Sequence, residues 1–144
     1  MTEYKKVFLD TAPLIYFLDN DVNFGEKTKE ILEEILLSGK PVISSSITGM
    51  EYLVYPYRTN NTEKVKVFFE FINDYDIPLT GINMKIATKA AAIRAQYKDF
   101  KAMDALQLAT AVISGCDVFL TNDKQLHQFK EVNCVTVEEW EIKK

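Results

Sequence analysis

Asp10, Glu51, Asp104 and Asp123 each stand where an apolar segment ends or where an apolar helix would otherwise run unbroken. A carboxylate taken out of water must shift its pKa, meet a cation or bind a metal, so acids in such settings ask for an explanation that surface acids do not. Gathered in one place, several carboxylates repel one another and raise one another's pKa unless a divalent cation is present. Oxygen donors without His or Cys suit a hard ion, Mg²⁺ or Mn²⁺, which accepts a few carboxylates together with water and substrate phosphate oxygens. The implied substrate is a phosphate ester. The chain offers little competing chemistry: His127 is its single histidine, and Cys116 and Cys134 form no CxxC pair and read as small core residues.

The elements that must position these acids can be read from their surroundings. Asp10 closes the β-prone run Val7-Phe8-Leu9, and Pro13 suits the first turn of a following helix. Glu51 follows the Ser-rich cap Ser44-Ser45-Ser46, where a second strand gives way to a helix. Asp104 sits one turn into a segment otherwise fit for a buried helix, and Asp123 follows the apolar run Val118-Phe119-Leu120. Strands are expected near Lys5 to Leu9, Pro41 to Ser45, Ile77 to Thr80, Asp117 to Thr121 and Val132 to Val135. Helices are expected near Pro13 to Leu18, Glu26 to Leu37, Ile47 to Tyr55, Glu63 to Asp74, Met84 to Tyr97, Ala102 to Ser114 and Lys124 to Phe129. Short strands separated by helices predict an α/β fold with a parallel sheet covered on both faces, and a helical hairpin between the second and third strands. In such a sheet, ligands bind beyond the carboxyl ends of the strands where the strand order reverses, so the fold itself would bring the acids together.

At 144 residues and 47% hydrophobic, the chain is expected to form one domain, residues 1–144, around a single core. No apolar run is long enough to cross a bilayer and the first residues carry no apolar stretch of the signal-peptide kind, which together predict a cytoplasmic protein.

Four segments in order, Phe8-Leu9-Asp10-Thr11, Ser45-Ser46-Ile47-Thr48-Gly49-Met50-Glu51, Met103-Asp104-Ala105-Leu106-Gln107-Leu108-Ala109 and Phe119-Leu120-Thr121-Asn122-Asp123, resemble the PIN domain. Within that family the chain looks most like the VapC-type toxin ribonucleases of type II toxin-antitoxin systems. The resemblance implies a three-layer fold with a central five-stranded parallel sheet flanked by helices. It also implies a metal-dependent endoribonuclease whose products end in a 5′-phosphate and a 3′-hydroxyl. Carried over position by position, Asp10 and Asp104 would be the principal Mg²⁺ (or Mn²⁺) ligands, with Glu51 and Asp123 completing the cluster directly or through water. Thr121 matches the hydroxyl position just before the last acid, and Thr11 could support Asp10 in the same way. The family implies an RNA substrate, a homodimer, and a small antitoxin lying in a groove near the acids. The apolar Leu14, Ile15, Phe17, Leu18, Ile31, Leu32, Ile35 and Leu36 exceed what two short helices need, and any part left uncovered would mark that groove or a dimer seam.

Other readings compete. Helix capping accounts for Asp10 and Asp123 without chemistry, but for Asp104 only if its helix starts later than Ala102. A net charge of −4 is unusual for a nucleic-acid binder. Arg58 is the best single candidate for a phosphate contact, about two turns beyond Glu51, with Pro56 expected to disturb the helix between them. Tyr52, Tyr55 and Tyr57 could stack on bases, although aromatics so spaced more often pack. Two rival functions remain: a catalytically inactive PIN-like binding module, and an aspartate-based phosphotransfer domain. The latter would need acids where Thr11, Ala12 and Gly81 stand.

Overall fold

Five short strands, too short for helices, pair into one parallel sheet, with Val7-Phe8-Leu9 and Val118-Phe119-Leu120 at its centre apolar on both faces. The computed structural model describes residues 3–143. Its elements run β1 (Val7–Leu9), α1 (Thr11–Leu18), α2 (Gly25–Ser38), β2 (Val42–Ser45), α3 (Ser46–Arg58), α4 (Thr62–Asp74), β3 (Leu79–Thr80), α5 (Met84–Gln96), α6 (Ala102–Ile113), β4 (Val118–Thr121), a 3₁₀ helix (Lys124–Gln128) and β5 (Asn133–Thr136). The strand order is β3-β2-β1-β4-β5, all parallel.

Alternation along the strands sends side chains to two separate cores, giving three layers. Val7, Leu9, Val118 and Leu120 face α1 to α4, where they meet Leu14, Ile31, Ile35 and Phe68, with Trp140 closing the end. Phe8, Ile43 and Phe119 face α5 and α6. Phe8 and Phe119 stack with ring centroids 5.1 Å apart, pinning β1 to β4 in the register that sets Leu9 opposite Leu120.

Turn chemistry accounts for most boundaries. Ser45, Asn61 and Asn83 cap α3, α4 and α5 with their side-chain oxygens, and Gly39 ends α2 at φ 74, a left-handed conformation that glycine adopts without strain. Of the boundaries that differ from the sequence reading, three have a clear local cause. Helix α1 begins at Thr11 rather than Pro13, directly after Asp10, so Pro13 occupies the third helical position. Helix α3 continues through Pro56 to Arg58, giving up one backbone bond where the proline lacks its N–H. Strand β3 shrinks to Leu79–Thr80, while Pro78 contributes only its carbonyl, to Ser44 N at 3.0 Å.

The chain leaves β1 outward through β2 to β3, then crosses back under α5 and α6 to β4 on the other flank of β1. Strand order therefore reverses between β1 and β4, which is where an α/β sheet opens a binding crevice at its carboxyl edge.

Candidate active site

Asp10 is the first residue beyond β1, at that crevice. Its backbone N–H still pairs with Leu120 O at 2.9 Å, so the sheet ladder itself fixes its place. The carboxylate caps α1 through Thr11 N at 2.9 Å and accepts from Thr121 Oγ1 at 2.8 Å and Gln107 Nε2 at 3.3 Å. Burial pushes the Asp10 carboxyl up from an ordinary 3.8 to about 6. The bonds from Thr121, Thr11 and Gln107 pull the other way, and the charge of Asp104 adds to the rise. A shift of that size means that keeping Asp10 ionised costs the fold about 3 kcal/mol.

Three more carboxylates stand around it, each contributed by a different element. Asp104, half-buried in the first turn of α6, accepts from Lys101 N at 3.2 Å. Its carboxyl is also raised, first by burial and further by the charges of Asp123 and Glu51, against the lowering effect of Lys101. Glu51 projects from α3 and accepts from Thr11 Oγ1 at 2.6 Å, which ties α3 to the start of α1. Asp123 caps the 3₁₀ helix through Gln125 N at 3.0 Å, while its own N–H donates to Thr121 Oγ1 at 3.2 Å. Asp104 thus lies within electrostatic reach of each of the other three acids.

Capping and crowding coexist here. Asp104 was expected to resist a capping account unless its helix started late. The helix starts at Ala102 as expected, yet Asp104 reaches back to the Lys101 N–H from the third helical position. Glu51, Asp104 and Asp123 each engage one carboxylate oxygen in these bonds. Among the described residues no three acidic, His or Cys side chains stand close enough, as they lie, to hold an ion together. The donor set is nevertheless the one a hard divalent cation takes: all oxygen, partly desolvated and mutually repulsive.

Beneath the acids lies a polar bed that the sequence reading passed over. Gln107 of α6, 2% exposed, donates from Nε2 to Thr48 Oγ1 at 2.7 Å and accepts at Oε1 from the Ser45 hydroxyl. Ser44 Oγ donates to Leu9 O at 2.6 Å, bridging β2 and β1 just below Asp10. Among the described residues no buried side-chain nitrogen or oxygen lacks a partner. The signal was available as spacing: Ser45, Thr48 and Glu51 recur every three residues, as do Asp104 and Gln107, and each set makes one polar stripe on its helix.

Other candidates lie apart. Arg58 ends α3 exposed, about 10 Å along the helix axis from Glu51 at the usual rise per residue. Tyr52 is buried, stacked on Phe68 and bonded to Asp19, whereas Tyr55 and Tyr57 are exposed. His127 pairs with Glu139. Cys116 and Cys134 are buried, their thiols pushed up to about 12, as core residues. An open cavity of about 850 Å³ runs along β5 between Cys116, Lys130 and Trp140, but contains none of the four acids. The crowding of charge, more than the depth of any hollow, distinguishes the crevice at β1 and β4.

A family model described as the PIN domain matches residues 7–132. Among solved structures, the chain is similar to a toxin-antitoxin complex from Klebsiella pneumoniae, with a TM-score of 0.72 and 24% identity over 93% of this chain and 99% of that one. It is also similar to VapBC2 from Rickettsia felis bound to a DNA fragment from its promoter, with TM-score 0.75, 13% identity and coverage of 94% and 99%. FitAcB from Neisseria gonorrhoeae gives TM-score 0.71, 21% identity and coverage of 93% and 99%. At these identities the likeness establishes the three-layer fold. A search of curated proteins finds no match to the sequence.

Proposed function

The chain belongs to the PIN domain family, and from that premise we propose that it is a Mg²⁺- or Mn²⁺-dependent endoribonuclease, the toxin of a toxin-antitoxin pair. The observation that carries this reading is the convergence of Asp10, Glu51, Asp104 and Asp123 from four elements on the crevice between β1 and β4, with Asp10 and Asp104 both raised by burial and by neighbouring acids. A fold that gathers negative charge where it costs stability needs a compensating partner, and a divalent cation is the simplest one.

In this reading Asp10 and Asp104 are the principal ligands, with Glu51 and Asp123 completing the shell directly or through water. When bound, the ion polarises the phosphate and eases deprotonation of the attacking water. Asp10 holds its orientation through Thr121 and Thr11. The hydroxyl of Thr11 holds Glu51 in turn. In the same reading the exposed Arg58, at the far end of α3 from Glu51, contacts an RNA phosphate outside the acidic cluster. The whole chain, residues 1–144, acts as one nuclease domain.

The similarity to a solved toxin-antitoxin complex supports a small protein antitoxin as the partner of this chain. Leu36 and Leu37 on α2 and Phe69 on α4 remain exposed and offer apolar area for that partner or for a homodimer seam. We place the action of the chain in the cytoplasm; among the described residues no helix is long and apolar enough to cross a membrane.

The test is to incubate the purified chain, free of any partner, with a mixed pool of structured RNAs and Mg²⁺ or Mn²⁺, beside an EDTA control and an Asp10→Asn variant. Metal-dependent cleavage lost in both controls is the expected result. Cleavage that survives EDTA or the substitution would overturn the mechanism.

A further inference from the structure

Gln107 is a buried amide in a stretch of α6 where, from Ala105 to Ala111, only it and Thr110 are polar. Packing gives it no reason to be there. Its two ends are held from opposite sides. The Ser45 oxygen already accepts the Ile47 N–H at 3.1 Å as the cap of α3, and its single proton goes to Gln107 Oε1. That leaves the NH₂ end facing Thr48 Oγ1 at 2.7 Å and Asp10 Oδ1 at 3.3 Å. An ionised Asp10 demands the same orientation, because an amide carbonyl turned toward a carboxylate offers no proton to it.

The bond links more than two side chains. Thr11 N holds Asp10 from α1 and Thr121 Oγ1 holds it from β4, but Gln107 is the donor from α6. Asp104 lies one turn earlier on that same helix. The amide therefore connects the helix carrying one principal acid to the strand end carrying the other, and its direction is set by a helix cap at the end of β2.

We propose that Gln107 is a positioning residue for the divalent-cation site: through the relay Ser45, Gln107, Asp10 it fixes the Asp10 carboxylate relative to Asp104, and cation affinity depends on it. This rests on the nuclease reading above. Partners of metal ligands that fix ligand orientation typically govern affinity by 10–100-fold.

The test measures Mn²⁺ affinity by titration calorimetry on the purified chain, with folding checked by circular dichroism. Gln107→Met weakens Mn²⁺ binding by about 10–100-fold. Ser45→Ala weakens it less, in the same direction, and the double variant is no weaker than Gln107→Met alone, because both act through one relay. Thr110→Val, which removes a buried hydroxyl bonded to Leu106 O at 2.7 Å on the same helix, leaves affinity within about twofold and controls for general loosening of α6. If Gln107→Met does not fold, Ser45→Ala decides. Native affinity in folded Gln107→Met or Ser45→Ala, with binding abolished in Asp10→Asn, overturns this inference and leaves the nuclease reading standing. An equal loss in Thr110→Val also overturns it. A native chain that takes up no Mn²⁺ overturns both.

Discussion

Asp10 and Asp117 stand at opposite ends of the same strand pair. Asp117, just before β4, accepts from the backbone N–H groups of Lys5 and Lys6 at 2.8–3.0 Å; Asp10, just after β1, accepts from Thr121 at the end of β4. Each carboxylate is a clip between β1 and β4. Their surroundings differ. Asp117 is exposed with Lys5 and Lys6 beside it, while Asp10 is half-buried among three other acids. One end of the sheet is finished by its own residues, and the other carries negative charge that Lys101 offsets only in part. A hydrogen-bonded aspartate at a strand end says nothing about function by itself; the sign of the charges around it does.

The contrast can be broken most severely through activity. Asp10→Asn should reduce RNA cleavage on the order of a thousandfold or more, equivalent to about 4 kcal/mol of barrier, whereas Asp117→Ala should leave it within about twofold. Comparable losses in both variants, measured in single-turnover assays, would erase the distinction between the two ends.

Stability should respond with the opposite sign. The folded Asp10 carboxyl titrates near 6 and the unfolded one near 3.8, so between those values the native state holds the extra proton and stability falls as pH rises. In EDTA, Asp10→Asn should therefore stabilise the chain by about 1–3 kcal/mol at pH 7.5, and the gain should vanish near pH 3.5. Asp117→Ala, which strands backbone N–H groups, should cost about 1–2 kcal/mol at pH 7.5. Urea melts of the three proteins check both signs, and a destabilised Asp10→Asn would refute the charge argument.

A finer cut separates capping from chemistry at Asp123. Asn caps about as well as Asp, so Asp123→Asn should leave the melting temperature unchanged while cleavage falls about tenfold, or 1.4 kcal/mol. Unchanged cleavage would assign Asp123 to the 3₁₀ helix alone. The smallest effect belongs to Arg58→Ala, expected to raise KM about threefold with kcat unchanged, as loss of one exposed phosphate contact should.

Most of the architecture was legible because its signals are local. The apolar runs at Val7, Val42 and Val118 and the Ser-rich cap at Ser45 act over a few residues, and the strands fall within two residues of expectation. Pro56 misled because a proline in the last turn of a helix removes only one bond, and the packing of Tyr52 on Phe68 carries α3 past it. The four acids were legible through the unlikeliness of their settings. Gln107 was legible only as a second polar residue on the stripe begun by Asp104; what it holds depends on Ser45, 62 positions away, folding against it.

The Asp10 N–H donates to Leu120 O, one step past the last residue of β1. That amide sits in the central strand pair of the sheet, between two packed cores, and should exchange its hydrogen only when the whole sheet opens. The backbone of Asp10 is thus anchored in the central strand pair, whereas Asp123 stands in the turn after β4. Local opening of that turn should move Asp123 and leave Asp10 in place, so the two sides of the crevice should differ in hydrogen exchange.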